Sequence, residues 1–152
     1  MPATPDTADG RPETILAFDF GLRRIGVAVG QSVTASASPL GVVANSSNGP
    51  DFDSISKIIE EWRPTRLVVG LPMHADGSPG EMKSHVDDFV RELWRYQLKV
   101  DTVDERYTSV EAEAALKNAR ASGSRGRVSK EMIDSAAAVF IAERFLTGRT
   151  NV

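Results

Sequence analysis

The first third of the chain has the hydrophobic pattern of consecutive strands. Apolar, β-rich runs occupy residues 15–21, 25–29 and 36–44, and a loop rich in Asn, Ser, Gly and Pro follows at residues 45–50. The first two runs are separated by a short turn that contains glycine, which is typical of a hairpin. These runs therefore predict a three-strand antiparallel meander.

The rest of the chain alternates helical and strand patterns. In residues 51–62 apolar side chains recur every three or four positions, and Pro64 marks the end of this helix. Residues 66–70 form a short continuous apolar run, as expected for a strand covered on both faces. The remaining predicted elements are a helix at 78–96 capped by Ser78, Pro79 and Glu81, a strand at 98–103, a helix at 108–121 and a final helix at 129–146.

This order of elements predicts an α/β domain with a five-stranded mixed sheet. Two parallel strands extend the three-strand antiparallel meander, and helices cover both faces. The carboxyl ends of the parallel strands share one edge, where α/β proteins place their ligands. We expect this domain to span residues 14–148, after a disordered tail at residues 1–13.

Composition limits the chemistry that the domain can carry. The chain has 152 residues, 41% of them hydrophobic, no cysteine and two histidines, His74 and His85, which we expect at the surface. The absence of cysteine excludes disulfides, thiolate zinc sites and thiol nucleophiles, so any metal here would be held by oxygen. No apolar run has the length of a membrane span or the character of a signal peptide, which predicts a cytoplasmic protein. The net charge of −3 counts against indiscriminate binding to a polyanion.

Three acidic residues occupy positions where a charge needs a partner. Asp19 lies in the apolar run 15–21, where an unpaired carboxylate would be costly, although an Asp that caps a turn at Gly21 is the alternative. Glu105 comes just after the last predicted strand. Asp134 could simply favour the helix dipole as a first-turn acid, a contribution of about 0.3 to 1 kcal/mol. It shares a helical stripe, however, with the apolar residues Ala137, Ala138, Ile141 and Phe145.

The predicted topology brings Asp19, Glu105 and Asp134 from three separate elements to one edge. Carboxylates packed together stay ionised only with a counter-cation, or else share a proton. A ligand set of oxygens favours Mg²⁺ or Mn²⁺ over zinc. Two such ions could orient water for in-line attack on a phosphodiester, so the three carboxylates predict a metal-dependent nuclease.

Basic residues supply candidate contacts to nucleic acid. Residues 117–130 carry no acid, and they are either a phosphate-binding segment or a solvated loop. Arg106 either faces a substrate phosphate or pairs with Asp104 or Glu105 and fixes the geometry of the site. Trp94 and the other aromatic residues are predicted to be core rather than base-stacking platforms. The candidate nucleic-acid-binding residues are Arg23, Arg24, Arg106, Arg125, Arg127 and Lys130.

Four blocks of sequence, in order, resemble the YqgF/RuvX family of bacterial RNase H-like proteins. The run DFGLRRIGVA at residues 19–28 is similar to the opening signature of that family. The later blocks are residues 69–72 with 76–78, residues 104–109 and residues 133–138. One departure is Gly30-Gln31, where many relatives have Ser-Asp. The resemblance covers residues 15–146.

This resemblance implies an RNase H-like fold and places the acidic residues of the family at Asp19, Glu105 and Asp134. The family is described both as a Holliday junction resolvase and as a nuclease that matures the 5′ end of pre-16S rRNA. We expect RNA processing rather than junction cleavage. Junction cleavage would require a symmetric dimer that places two sites on opposing strands, so a monomer would favour RNA. The sequence leaves monomer and homodimer open.

Two alternatives come from other functional classes. One is a nucleic-acid or ribosome-associated binding module whose carboxylates do not catalyse. The other is an actin-like kinase or ATPase, since Asp19 and Gly21 also resemble the phosphate loop of those proteins. Those enzymes need two such domains to enclose a nucleotide, and this chain is about half the necessary size.

Overall fold

The structure, a computed structural model, describes residues 12–71, 80–104 and 130–150, and in the last range it describes side chains only from 135 to 148. The predicted helix at 108–121 lies outside the described residues. The strands are β1 (Thr14–Asp19), β2 (Arg24–Gln31), β3 (Ser36–Ser46), β4 (Gly49–Pro50), β5 (Arg66–Leu71) and β6 (Lys99–Asp104). The helices are α1 (Phe52–Trp62), α2 (Lys83–Leu93), a 3-10 turn at Trp94–Tyr96 and α3 (Lys130–Thr150).

Within these residues one mixed sheet has the order β4-β3-β2-β1-β5-β6. Strands β1, β2 and β3 form the predicted antiparallel meander, and β5 and β6 extend it in parallel to β1. The prediction of five strands was wrong by one, because residues 45–50 were assigned to a loop. Asn45 pairs with Pro50 and Ser46 with Gly49 around a two-residue turn. Turn-forming residues indicate the reversal of the chain, but they do not show that the flanking residues pair.

The two faces of the sheet are covered by different helices. Leu16 and Phe18 of β1 point to the face that carries α1 and α2, where the Phe18 and Phe89 rings meet edge to face with centroids 5.6 Å apart. Ile15 and Ala17 point to the opposite face and pack against α3. This alternation is the period of two that a strand imposes, and it confirms helices on both faces.

Small residues let α3 lie close to the sheet. Ala137 and Ala138 are buried, as the predicted stripe requires. On β2, Gly30 is closely packed, since a Cβ there would be 3.0 Å from the Ile15 side chain and 3.2 Å from the Leu146 side chain, and both would have to shift. The helix runs to Thr150, four residues beyond the predicted end. No described helix has the length and hydrophobicity needed to cross a membrane.

Helix α2 begins later than the sequence predicted. It starts at Lys83 after a turn at Glu81 and Met82, and Met82 makes no side-chain capping bond. Ser78 and Pro79 lie outside the described residues. Trp94 is 59% exposed, so its assignment to the core was wrong. Leu93 is buried and faces the sheet. Trp94, the next residue, lies about 100° further around the helix and therefore faces outward.

A buried arginine ties together the amino ends of the strands. Arg66 at the start of β5 donates to Glu13 over 3.1 Å and also pairs with Asp101 of β6. Burial lowers the pKa of Arg66, but the hydrogen bonds to Asp101 and Glu13 outweigh it and hold the pKa above its usual value. Glu13, which the sequence assigned to the tail, is therefore a buried member of the folded domain.

Candidate active site

The carboxyl ends of three parallel strands define the edge where the sequence predicted the site. β1 ends at Asp19, β5 at Leu71 and β6 at Asp104. The pairing of Phe18 with Val69, continued by one residue, sets Asp19 level with Gly70, which pairs with Val103 of β6. Asp19 and the end of β6 are thus at the same height and two strand spacings apart, roughly 10 Å.

Asp19 is half-buried on the face that carries α3. It follows Ile15 and Ala17 at the spacing of two that keeps side chains on one face, and both of those residues contact the α3 cluster. Its cross-strand partner on β2 is Gly26, which has no side chain to fill the space beside the carboxylate. Asp19 has at least one further interaction, so its carboxylate is not isolated.

The turn after Asp19 is hydrogen-bonded to β3. The side-chain nitrogen of Asn45 donates to the carbonyl of Gly21 over 2.8 Å, and the backbone nitrogen of Asn45 donates to the carbonyl of Arg23 over 3.0 Å. Gly21 itself is closely packed, because a Cβ there would lie 2.6 Å from the backbone oxygen of Arg24. The strand end that carries Asp19 is therefore held at a fixed place by backbone contacts.

If Asp19 is catalytic as predicted, replacing Gly21 with Ala should lower the predicted nuclease activity by about tenfold to 10²-fold, because misplacing a catalytic group by about 1 Å costs that much. The added Cβ must push against the Arg24 backbone, and the resulting shift passes to Asp19, two residues away. The measurement is kcat on a cleavable substrate. Gly41→Ala is less suitable as a control because Gly41 has a positive φ of 119°. Ala44→Gly, on the exposed β3 residue that pairs with Arg24, is expected to keep near-normal activity.

The backbone of α3 brings Asp134 toward the same edge. Ser135 is buried, and its hydroxyl donates to the carbonyl of Gly41 on β3 over 3.0 Å. Gly41 pairs with Val27, which in turn pairs with Phe18, the residue before Asp19. The first turns of α3 therefore lie at the height of the end of β1, on the face that carries Asp19. The structure describes only the backbone of Asp134.

Most other predicted site residues lie outside what the structure describes. Glu105 directly follows the last residue of β6 in the sequence and is itself outside the described residues. The same holds for Arg106, Arg125 and Arg127, and the side chain of Lys130 is not described. Arg23 is exposed on the turn after Asp19, and Arg24 at the start of β2 is half-buried. His85 is exposed, as predicted.

Arg144 is a residue near the site that the sequence analysis missed. It lies in α3, and it donates through Nη1 to the carbonyl of Asp104, the last residue of β6, over 2.5 Å. It thereby links the helix that carries Asp134 to the strand end that precedes Glu105. The sequence feature that could have identified Arg144 is its spacing of three from the buried residue Ile141, which places it beside the buried stripe of the helix.

The described residues contain no group of three acidic, histidine or cysteine side chains close enough to hold a metal ion. Of the three predicted carboxylates, Asp19 is the one whose side chain the structure describes. Its hard oxygens and its position at the strand end, paired with Gly26, fit a Mg²⁺ or Mn²⁺ ligand.

The chain is similar to known proteins over most of its length. A family model described as "RuvX: Holliday junction resolvase" matches residues 13–148. A protein of Paraburkholderia xenovorans (strain LB400) named "Putative pre-16S rRNA nuclease" is 48% identical over 142 residues, covering 93% of this chain and 92% of that protein.

Two solved structures share the fold. RuvC of T. thermophilus, in complex with a Holliday junction substrate, has a TM-score of 0.54 at 14% identity and is matched over 92% of this chain and 97% of that one. The yeast mitochondrial Holliday junction resolvase Ydc2 has a TM-score of 0.52 at 9% identity, with 90% and 78% covered. At these identities the likeness concerns the α/β architecture alone.

Proposed function

The chain belongs to the RuvX family and is a nuclease, and on that premise we propose that it processes the 5′ end of pre-16S rRNA during ribosome biogenesis in the cytoplasm. The observation that carries this choice of substrate is the 48% identity, over nearly the full length of both chains, to a relative named for that RNA. We assign the domain to the RNase H-like class, and we place it at residues 13–148 because Glu13 is buried and the family match begins there.

We propose that Asp19, Glu105 and Asp134 are the catalytic carboxylates and the ligands of Mg²⁺ or Mn²⁺. The position of Asp19 at the end of β1 supports this assignment. So do two hydrogen bonds from α3, one from Ser135 to the carbonyl of Gly41 on β3 and one from Arg144 to the carbonyl of Asp104 at the end of β6. When bound, such ions polarise the phosphate and lower the pKa of a water. The protein would hold these carboxylates in position around the ions. The hydrogen bonds from Asn45 to the carbonyls of Gly21 and Arg23 fix the turn after Asp19 and support this role.

We propose that nucleic acid is bound by basic residues around this edge. Arg23 is exposed on the turn that follows Asp19, so it can contact a phosphate next to the scissile one. The further candidates are Arg24, Arg106, Arg125, Arg127 and Lys130. Contacts of this kind are independent of base sequence and are weakened by salt.

Holliday junction cleavage is the second candidate function. It is favoured by the description of the matching family model and by the likeness in fold to RuvC, which was solved with a junction. A junction has two strands to cut symmetrically, so this activity requires a homodimer, whereas a monomer would suffice for an RNA end.

Cleavage of two substrates side by side tests the proposal. A labelled RNA that contains the precursor 5′ end and a labelled four-way DNA junction are incubated with Mg²⁺, with Mn²⁺ and with chelator. We expect the RNA to be cut with either metal, not in chelator, and again when excess Mg²⁺ is restored. Cleavage that persists in chelator would contradict the metal mechanism. Cleavage of the junction but not the RNA would favour the second function, and binding without cleavage of either would indicate a binding module.

A further inference from the structure

A cleft of about 450 Å³ lies beside the candidate active site, on the opposite face of the sheet. It is bounded by the turn after β1, the β3–β4 hairpin and one side of α2. The turn contributes Phe20 and Leu22, which come directly after Asp19 in the chain. The cleft therefore begins at the same strand end that holds the candidate catalytic carboxylate, and its volume is within the range of small-molecule sites, about 300 to 1,000 Å³.

The walls of the cleft combine apolar surface with unused hydrogen-bonding groups. The Phe20 and Phe89 rings are tilted by 41° with their centroids 5.1 Å apart, and the side chain of Leu22 is 56% exposed. On the α2 side, His85 and Glu92 line the cleft, and neither side chain pairs with another residue in the described part of the chain. Asp88 also lines it but forms an ion pair with Arg91.

The charge of the cleft selects which part of a nucleic acid it can hold. A phosphate would be repelled by the carboxylate of Glu92, whereas a base that presents hydrogen-bond donors would be attracted to it. Guanine offers an imino and an amino donor side by side on its Watson–Crick edge, which match the two oxygens of a carboxylate. RNA bases that leave the stack are recognised in this manner, by apolar contact with their faces and hydrogen bonds to their edges.

We propose that this cleft is a nucleobase subsite, in which Glu92 accepts hydrogen bonds from a guanine near the scissile bond while Phe20 and Leu22 contact the ring. The backbone of the nucleic-acid strand would pass over the turn at Arg23, which is exposed and directly follows the cleft residue Leu22 in the chain. The cleft would thus give the nuclease a preference for guanine, whereas the other proposed contacts to nucleic acid are to phosphates. This inference rests on the proposed nuclease function and concerns the choice of substrate.

A binding comparison without metal tests the subsite apart from catalysis. Single-stranded RNAs of equal length carry one guanosine, one inosine, which lacks the 2-amino group, or one abasic position, in an otherwise uniform context. We expect the wild-type protein to bind the guanosine RNA about tenfold more tightly than the inosine RNA, the discrimination typical of one specific base contact. Glu92→Gln is expected to abolish this difference. Glu61→Gln, at an exposed position on α1 outside the cleft, should retain it.

Kinetics with metal then separate a role in binding from a role in chemistry. Glu92→Gln should raise KM on a guanosine-containing substrate and leave kcat unchanged. Equal binding of the guanosine and abasic RNAs by the wild-type protein would overturn the subsite even if cleavage is intact. If Glu92→Gln instead weakens only the binding of an arginine-rich peptide, the cleft is a protein-docking site and the proposal is wrong. Loss of metal-dependent cleavage in the wild-type protein would concern the nuclease function alone, because the binding comparison needs no cleavage.

Discussion

Replacing Asp19 with Asn is expected to reduce nuclease activity by about 10³-fold, because a metal-bound carboxylate contributes several kcal/mol to transition-state stabilisation and each ~1.4 kcal/mol is tenfold in rate. The substitution keeps the size of the side chain and removes its charge. Since Asp19 is only half-buried, pairs with Gly26 and is the last residue of its strand, the neutral amide should leave the fold intact. The measurement is single-turnover cleavage at saturating Mg²⁺.

Asp53→Asn is the matched control for this variant. Asp53 is an exposed carboxylate in the first turn of α1, on the face opposite to Asp19. We expect near-normal cleavage from it and unfolding curves in urea that overlap for both variants and the wild-type protein. Normal cleavage by Asp19→Asn would remove this residue from the mechanism. An equal loss in both variants would indicate that the assay reports overall charge rather than a specific ligand.

Local patterns predicted the parts of the fold that depend on neighbours in sequence. The β1–β2 hairpin and α1 were predicted close to their observed bounds, because the period of apolar residues and the turn residues lie within the segment itself. The N-cap of α1 shows why: Asp51 accepts from Ser54, and these hydrogen bonds lower the pKa of its carboxyl. A cap of this kind needs no partner from another element.

Features that depend on distant residues were not predictable in the same way. Arg66 pairs with Glu13 and Asp101, which lie 53 and 35 positions away in the sequence. Arg144 contacts Asp104 across 40 positions in the sequence. Such contacts depend on how elements are placed in space, and a single sequence carries no direct signal for that placement.

The part of the candidate site that could be predicted from the sequence is an acidic residue at a position where burial is expected. Asp19 attracted notice because an acid is unexpected at the end of an apolar strand, and the structure places it at the predicted edge of the sheet. The cleft at Phe20 and Glu92 carried no such conflict, since each residue is ordinary where it stands in the sequence. It arises only where a turn, a hairpin and a helix meet.

Arg66→Met is expected to lower the free energy of unfolding by about 3 kcal/mol or more, since removing one partner of a buried ion pair leaves an uncompensated charge. The side chains of Arg66 and Glu13 are each 9% exposed, and Asp101 shares the same guanidinium at the amino ends of the strands. The cation–π contact, in which Cζ of Arg66 lies 5.6 Å from the centroid of the Phe145 ring, would be lost as well. Urea unfolding, followed by circular dichroism near neutral pH, measures the change.

The exposed pair of Arg91 and Asp88 supplies the control, because its side chains are 60% and 64% exposed. Arg91→Met is expected to change the free energy of unfolding by less than about 1 kcal/mol, the usual limit for a surface pair. The raised pKa of Arg66 means that its charge is present at all pH values below that pKa and is lost only in strong alkali. The difference between the two variants should therefore persist from neutral pH to moderately alkaline pH. Equal small losses in both would show that the Arg66 network contributes no more than a surface ion pair.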